Sequence, residues 1–172
     1  MEHVGLLHRN RVDGLIAMPV GRESAHFKEL HRRGIPLVLL DRGFDDLDVS
    51  TVLVDNYQGA YDAVAHLIAH GHERIAIVQG LPGTYTANAR LRGYQDALQA
   101  HGLPVRPEYV VGRDFRRENG YIETRLLLNL TSPPTAIFAT SDLITLGALQ
   151  AIDEEGLEIP RDISLISFDD FE

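Results

Sequence analysis

The chain has no cysteine and no tryptophan, and Lys28 is its only lysine. Without cysteine there is no disulfide framework, no thiolate nucleophile and no thiolate-ligated zinc. Arginine supplies nearly all the positive charge, no basic run occurs, and the formal net charge is -9. That balance argues against a polyanion-binding surface on this chain, because affinity for nucleic acid rests largely on neutralising backbone phosphates. Long hydrophobic runs are also missing. Met1-Glu2-His3-Val4-Gly5-Leu6-Leu7 is too short and too polar for a secretory core. No segment approaches the roughly 20 apolar residues that span a bilayer. A cytoplasmic location with no membrane partner is the expectation.

The common catalytic fingerprints are absent as well. There is no Gly-x-Ser-x-Gly elbow, no Walker loop and no Gly-x-Gly-x-x-Gly turn. The stretch Gln79-Gly80-Leu81-Pro82-Gly83-Thr84 lacks the lysine and glycine spacing of a phosphate loop. His66 and His70 stand four apart, but Leu67, Ile68 and Ala69 between them read as a packing face, with no zinc-protease glutamate. No metal and no cofactor are expected. Asp169 and Asp170 are adjacent at a strand end, so their side chains diverge and make a poor pair for two-carboxylate hydrolysis.

What remains is ordinary in composition, 44% hydrophobic and 24% charged, and regular in pattern. At 172 residues the chain can bury roughly 70% of its unfolded surface. Short apolar runs at 15–18, 37–40 and 51–54 suit parallel strands buried on both faces. A helix is predicted over Glu23 to Arg33, with Phe27 and Leu30 inward and Gly34 as its stop. From Asp55 the winding is stricter. Asp55 or Asn56 caps a helix carrying Ala60, Val64, Leu67 and Ile68, with Gln58 placed as in a capping box and Gly71 ending it.

Strand 74–79, helix 89–101, strand 109–111 and helix 118–130 follow, and the last of these stops before Pro133-Pro134. Strand 135–139, a helix opened by Ser141 or Asp142, and strand 163–168 complete the series. Strands alternating with helices of about 10–15 residues mean right-handed βαβ units and parallel, doubly wound sheets. The chain starts in a predicted helix, Glu2 to Arg9, and stops just after a strand. It is expected to be an internal portion of a longer protein, with 1–54 a partial first lobe and 55–172 a second lobe.

In such a winding, ligands sit beyond the carboxyl ends of the strands. The residues waiting there are Asp41 and Arg42, Thr84, Thr86 and Arg90, Phe115, Ser141 and Asp142, and Asp169 and Asp170. Carboxylates accept from neighbouring hydroxyls, a guanidinium donates in a fixed fork, and a ring covers an apolar sugar face. Each also has a structural alternative: a cap for Asp142, a solvated helix position for Arg90, a polar turn for Asp169, core filling for Phe115, and pairing with Arg42 or Arg22 for Asp41.

Val54-Asp55-Asn56-Tyr57-Gln58-Gly59, Gly71-His72-Glu73-Arg74-Ile75, Arg90-Leu91-Arg92-Gly93-Tyr94, Thr140-Ser141-Asp142 and Phe168-Asp169-Asp170 together resemble the effector-binding domain of LacI/GalR-type transcriptional regulators. The resemblance implies a two-lobed, periplasmic-binding-protein-like α/β fold whose first lobe is incomplete here. It further implies a sugar or similar polar effector between the lobes, a homodimer, and allosteric control of an operator gripped by an N-terminal helix-turn-helix outside this chain. It assigns effector contacts to Arg90, three residues before Gly93-Tyr94, and to Asp169, and it places Asp41, Phe115, Thr86 and Ser141 at further ligand positions. Arg113 is an insertion in the usual Gly-Asp-aromatic pattern, and Ser141 stands where some members have asparagine. A sugar-binding protein of an uptake system shares the architecture and is the alternative; an α/β enzyme is a more distant one.

Overall fold

The structure is a computed structural model that describes residues 12–170, so the helix expected over Glu2 to Arg9 lies outside the described residues. The chain divides into two compact units, one ending at Val54 and the other beginning at Asp55.

The first unit holds β1 (Leu15–Ala17), α1 (Ala25–Arg32), β2 (Leu37–Leu40) and β3 (Ser50–Val52), with the strands parallel in the order β1-β2-β3. α1 buries Phe27 and Leu30, and Phe27 packs with Leu37, Leu39 and Leu47. Gly34, at φ +77°, reverses the chain after it in a conformation that costs an L side chain but not glycine. The apolar runs predict strands covered on both faces, and here the structure differs. Leu37 and Leu39 are buried, whereas Ile16 and Val52 are mostly exposed. Among the described residues one helix packs on this sheet, so alternate side chains lack a covering layer. β3 also lies at 50–52 instead of 51–54, leaving Leu53 and Val54 exposed.

The second unit contains α2 (Asn56–Ala69), β4 (Ile75–Val78), α3 (Tyr85–Ala100), a 3-10 turn at Pro107–Tyr109, β5 (Val110–Val111), α4 (Arg117–Leu128), β6 (Ala136–Ala139), α5 (Asp142–Glu154) and β7 (Ser164–Ser167). Its strands are all parallel, in the order β5-β4-β6-β7. The winding therefore runs outward from β4 to β5, then crosses back to β6. That reversal opens a crevice above the carboxyl ends of β4 and β6, where open α/β sheets bind ligands.

β4 and β6 are fully buried, as their unbroken apolar runs predict. The period-2 alternation splits their side chains between two cores. Ile75, Ile77, Ala136 and Phe138 pack with Val64, Leu67, Tyr94 and Leu98 on the α2–α3 side. Ala76, Val78, Ile137 and Ala139 pack with Leu127, Ile144 and Ile152 on the α4–α5 side. Each large side chain buried there contributes about 1.5–3 kcal/mol, so the two central strands anchor the unit.

Local signals shift some boundaries. Asp55 caps α2, its Oδ1 accepting from the Gln58 amide at 2.9 Å. The expected capping box is only half formed, because the Gln58 side chain donates to Asp62 instead of returning to the cap. α3 begins at Tyr85, four residues before the Ala89 that hydrophobic spacing suggests. The extra turn is built from Tyr85, Thr86, Ala87 and Asn88, and the Asn88 side chain accepts from the Gly83 amide at 3.1 Å. At α5 neither expected cap closes a first-turn bond. Ser141 occupies the cap position without a side-chain capping bond, and Asp142 accepts only from the adjacent Leu143 amide.

Candidate functional site

The Arg90-x-x-Gly93-Tyr94 pattern resolves into three jobs on one face of α3. Tyr94, fully buried, donates its hydroxyl to the Ile75 carbonyl at 2.8 Å and ties the helix to the sheet. That burial pushes the Tyr94 phenol well above its ordinary pKa, so it stays a neutral donor. Gly93 lies against α2: a methyl group there would stand 2.4 Å from the Tyr57 carbonyl oxygen and 3.0 Å from the Ala60 Cβ. This close approach brings Arg90, one turn earlier, to the start of α2.

Arg90 is 6% exposed, and a buried guanidinium requires partners. Its Nε donates to Asn56 Oδ1 at 2.8 Å, and Nη1 donates to the Thr140 carbonyl just past β6. The Phe168 ring lies under it, 3.6 Å from Cζ to ring centroid. Nη2 stands 4.0 Å from Asp169 Oδ1, whose side chain is 41% exposed. A buried, fixed cation thus meets a solvent-reaching carboxylate above the β4–β6 crevice. Arg90 and Asp169, 79 positions apart in the numbering, come together there.

Two buried hydroxyls flank the arginine. Thr86 precedes it by one helical turn, and Ser141 follows the Thr140 carbonyl that Arg90 holds. Neither Thr86 Oγ1 nor Ser141 Oγ has a hydrogen-bond partner among the described residues. A buried polar group without a partner costs about 1–3 kcal/mol, a cost that a hydroxyl-bearing or amide-bearing ligand would remove. Thr86 is expected in a loop; it sits instead in the first turn of α3.

Phe115 lies in the loop that follows the neighbouring β5. Its ring covers Gly80 so closely that a Cβ there would be 2.0 Å from Cε1, and it also packs on the core containing Val78. Asn119 fixes the loop that carries it, accepting from the Arg113 amide and donating to the Asp114 and Gln79 carbonyls. Arg113 spends its guanidinium on Glu123, 2.9 Å away, beside a separate groove of 380 Å³ along α4. Asp142, on the first turn of α5, is exposed.

Asp41 belongs to the first unit and is described there by itself. It is the one non-glycine residue with positive φ (+67°) among the described residues, and its carboxylate takes Arg42 Nε at 3.1 Å. Its amide donates to the Val52 carbonyl, holding the end of β2 to β3.

Sequence reasoning passed over Asn56 and Phe168 as site residues. Asn56 reads as a helix cap, and its amide is committed to Arg90 instead. Phe168 reads as the last apolar residue of a strand, and only the fold shows its ring beneath a guanidinium. The signal available was Gly59, where a Cβ would stand 2.9 Å from that ring. Of the histidines considered for a metal, the exposed His66 and His70 form a tilted ring pair 4.3 Å apart, and both ring nitrogens of His72 share hydrogen bonds with Thr135 and Ser164.

The second unit is a parallel, doubly wound α/β domain with polar side chains gathered at its topological switch point. The family described as "Periplasmic binding protein-like domain" matches residues 64–172, and the chain belongs to that family. The chain is 37% identical over 161 residues to the probable HTH-type transcriptional repressor ExuR of Bacillus subtilis, covering 93% of this chain and 48% of that protein. A regulatory protein of the LacI family from Chloroflexus aggregans superposes with a TM-score of 0.86 at 32% identity, over 96% of this chain and 60% of the other. The transcriptional regulator CelR in complex with cellobiose superposes at 0.89 and 32% identity, over 96% and 51%. The chain spans about half the length of the curated relatives it matches.

Proposed function

We propose that this chain is the effector-sensing part of a LacI-type transcriptional repressor, and that it binds a sugar or comparable polar metabolite at the carboxyl edge of the second unit's sheet. The observation that carries the reading is the arrangement around Arg90: a buried guanidinium on Phe168, Asp169 at 4.0 Å, and the buried Thr86 and Ser141 hydroxyls, which have no hydrogen-bond partner among the described residues. Arg90 donates to the ligand and Asp169 accepts from its hydroxyls. Ser141 and Thr86 complete the polar lining, and Phe115 covers an apolar face.

Binding rather than turnover is the proposed activity. In the whole protein, a homodimer would grip operator DNA through a helix-turn-helix outside this chain and act in the cytoplasm. The effector controls operator affinity only if it binds the two states of the dimer unequally, and the coupling is then reciprocal. The relatives named as repressors, and the cellobiose complex among the structural neighbours, support this reading over an uptake protein.

A thermal-shift screen of sugars, nucleosides and polyols on the full-length protein tests it, repeated with Arg90→Ala. Loss of a charge-assisted hydrogen bond weakens binding about tenfold or more, so the shift given by the best compound falls sharply in the variant. Equal stabilisation of both proteins removes Arg90 from the site.

A further inference from the structure

The partners of Arg90 come from three separate elements, and two of them are side chains with no other evident duty toward a ligand. Asn56 opens α2, is 2% exposed, and directs its carbonyl oxygen at Nε. Phe168 follows β7 and offers the face of its ring, with the guanidinium Cζ 3.6 Å from the centroid. The backbone is arranged for both. Gly59, one turn after Asn56, leaves room for the Phe168 ring edge, and Gly93 lets α3 approach α2.

An arginine side chain has four rotatable bonds and loses substantial rotamer entropy when a ligand orders it. Here a hydrogen bond at one edge of the guanidinium, a carbonyl at another and a ring beneath fix the plane. Cation–π attraction strengthens with desolvation, and here the arginine is buried and the ring half-buried.

We propose that Asn56 and Phe168 are positioning residues, which hold Arg90 in its binding rotamer before any effector arrives. They raise affinity by preorganisation without contact to the effector. The inference rests on the proposed effector role of Arg90 and deepens it: effector recognition depends on a triad of which only the arginine faces the ligand. Substitution at either supporting residue then acts on affinity as Arg90→Ala does, in a protein that remains folded.

The test reads the arginine itself, without a ligand, in the full 172-residue chain. In a proton–nitrogen spectrum of arginine Nε–H groups, the Arg90 signal is assigned by its disappearance in Arg90→Lys. The expected signal is shifted upfield by the Phe168 ring and exchanges slowly with water. Phe168→Leu removes the upfield shift and Phe168→Tyr retains it. Asn56→Ala speeds exchange by about tenfold or more, whereas Asn56→Asp, which keeps an acceptor, restores protection. Amide spectra confirm that each variant keeps the native fold, a readout that positioning leaves unchanged. An Arg90 signal that exchanges as fast as those of exposed arginines overturns the proposal. So does protection that survives both Asn56→Ala and Phe168→Leu.

Titration with cellobiose, and with the best compound from the screen, forms a separate arm. Weakened binding in Asn56→Ala and Phe168→Leu, with Phe168→Tyr near wild type, supports a role in recognition. If nothing binds the wild-type protein while the ligand-free signals behave as expected, the effector reading falls and the structural hold on Arg90 stands.

Discussion

Gly93→Ala probes the link between helix packing and the candidate site. The new methyl group would stand 2.4 Å from the Tyr57 carbonyl oxygen, 3.0 Å from the Ala60 Cβ and 3.0 Å from the Tyr61 amide. Two of these three neighbours are backbone, so no rotamer change relieves the contact and α3 must move away from α2. Overpacking of this kind costs about 1–3 kcal/mol, and a rigid backbone neighbour puts it near the upper end. Replacing glycine by alanine inside a helix returns about 1 kcal/mol of propensity. The net loss is then about 2 kcal/mol, or roughly 6–10 °C in Tm for a unit of this size.

The same displacement acts on Arg90, one turn earlier, whose 2.8 Å bond to Asn56 Oδ1 spans the two helices. Differential scanning calorimetry measures the first effect, and the protection of the Arg90 Nε–H measures the second. Adding Ala60→Gly should rescue neither, because the worst contact is with the Tyr57 carbonyl. A Gly93→Ala protein as stable as wild type, with Arg90 protection unchanged, would refute the argument that this glycine sets the helix approach.

Two further outcomes follow from the packing. Burial, and secondarily the charge of His70, hold the His72 imidazole below its ordinary pKa. Its neutral form joins Thr135 and Ser164 at the starts of β6 and β7. The unfolded chain therefore takes up the proton first as pH falls below about 6.5. The His72 contribution is complete above that pH and is lost as pH falls toward the depressed folded value, at most about 1.4 kcal/mol per unit. Urea midpoints at about pH 7.5 and 5.5 should drop more for wild type than for His72→Gln; equal drops would remove His72 from the pH response. At the other edge of the sheet, Gly80→Ala drives a Cβ into the Phe115 ring and should cost about 1–3 kcal/mol. Adding Phe115→Leu should recover part of that loss in a double-mutant cycle, and strict additivity would mean that the two positions do not touch.

The order of elements in the second unit was legible because its signals are local. Apolar runs bounded by glycine and proline, a helical period, and an aspartate cap depend on residues a few positions apart. So is the edge to which polar residues are delivered, since parallel winding sends every strand end the same way. What local pattern could not supply is contact across the fold. Ile16 and Val52 read like buried strand residues, yet their exposure depends on whether a layer packs over them. The start of α3 was missed because Thr86, Ala87 and Asn88 carry a weak periodic signal while the fold buries Thr86 and Ala87.

The sequence by itself determined that this is a parallel α/β chain without thiol chemistry, that Arg90, Asp169, Ser141 and Thr86 stand near strand ends, and which family's motifs they resemble. Only the tertiary structure decided how the arginine is held. Asn56, Phe168 and the Thr140 carbonyl meet it from three elements far apart in the chain. A buried guanidinium is stable only where desolvation is offset by several partners at once, and that convergence exists only after the helices have packed.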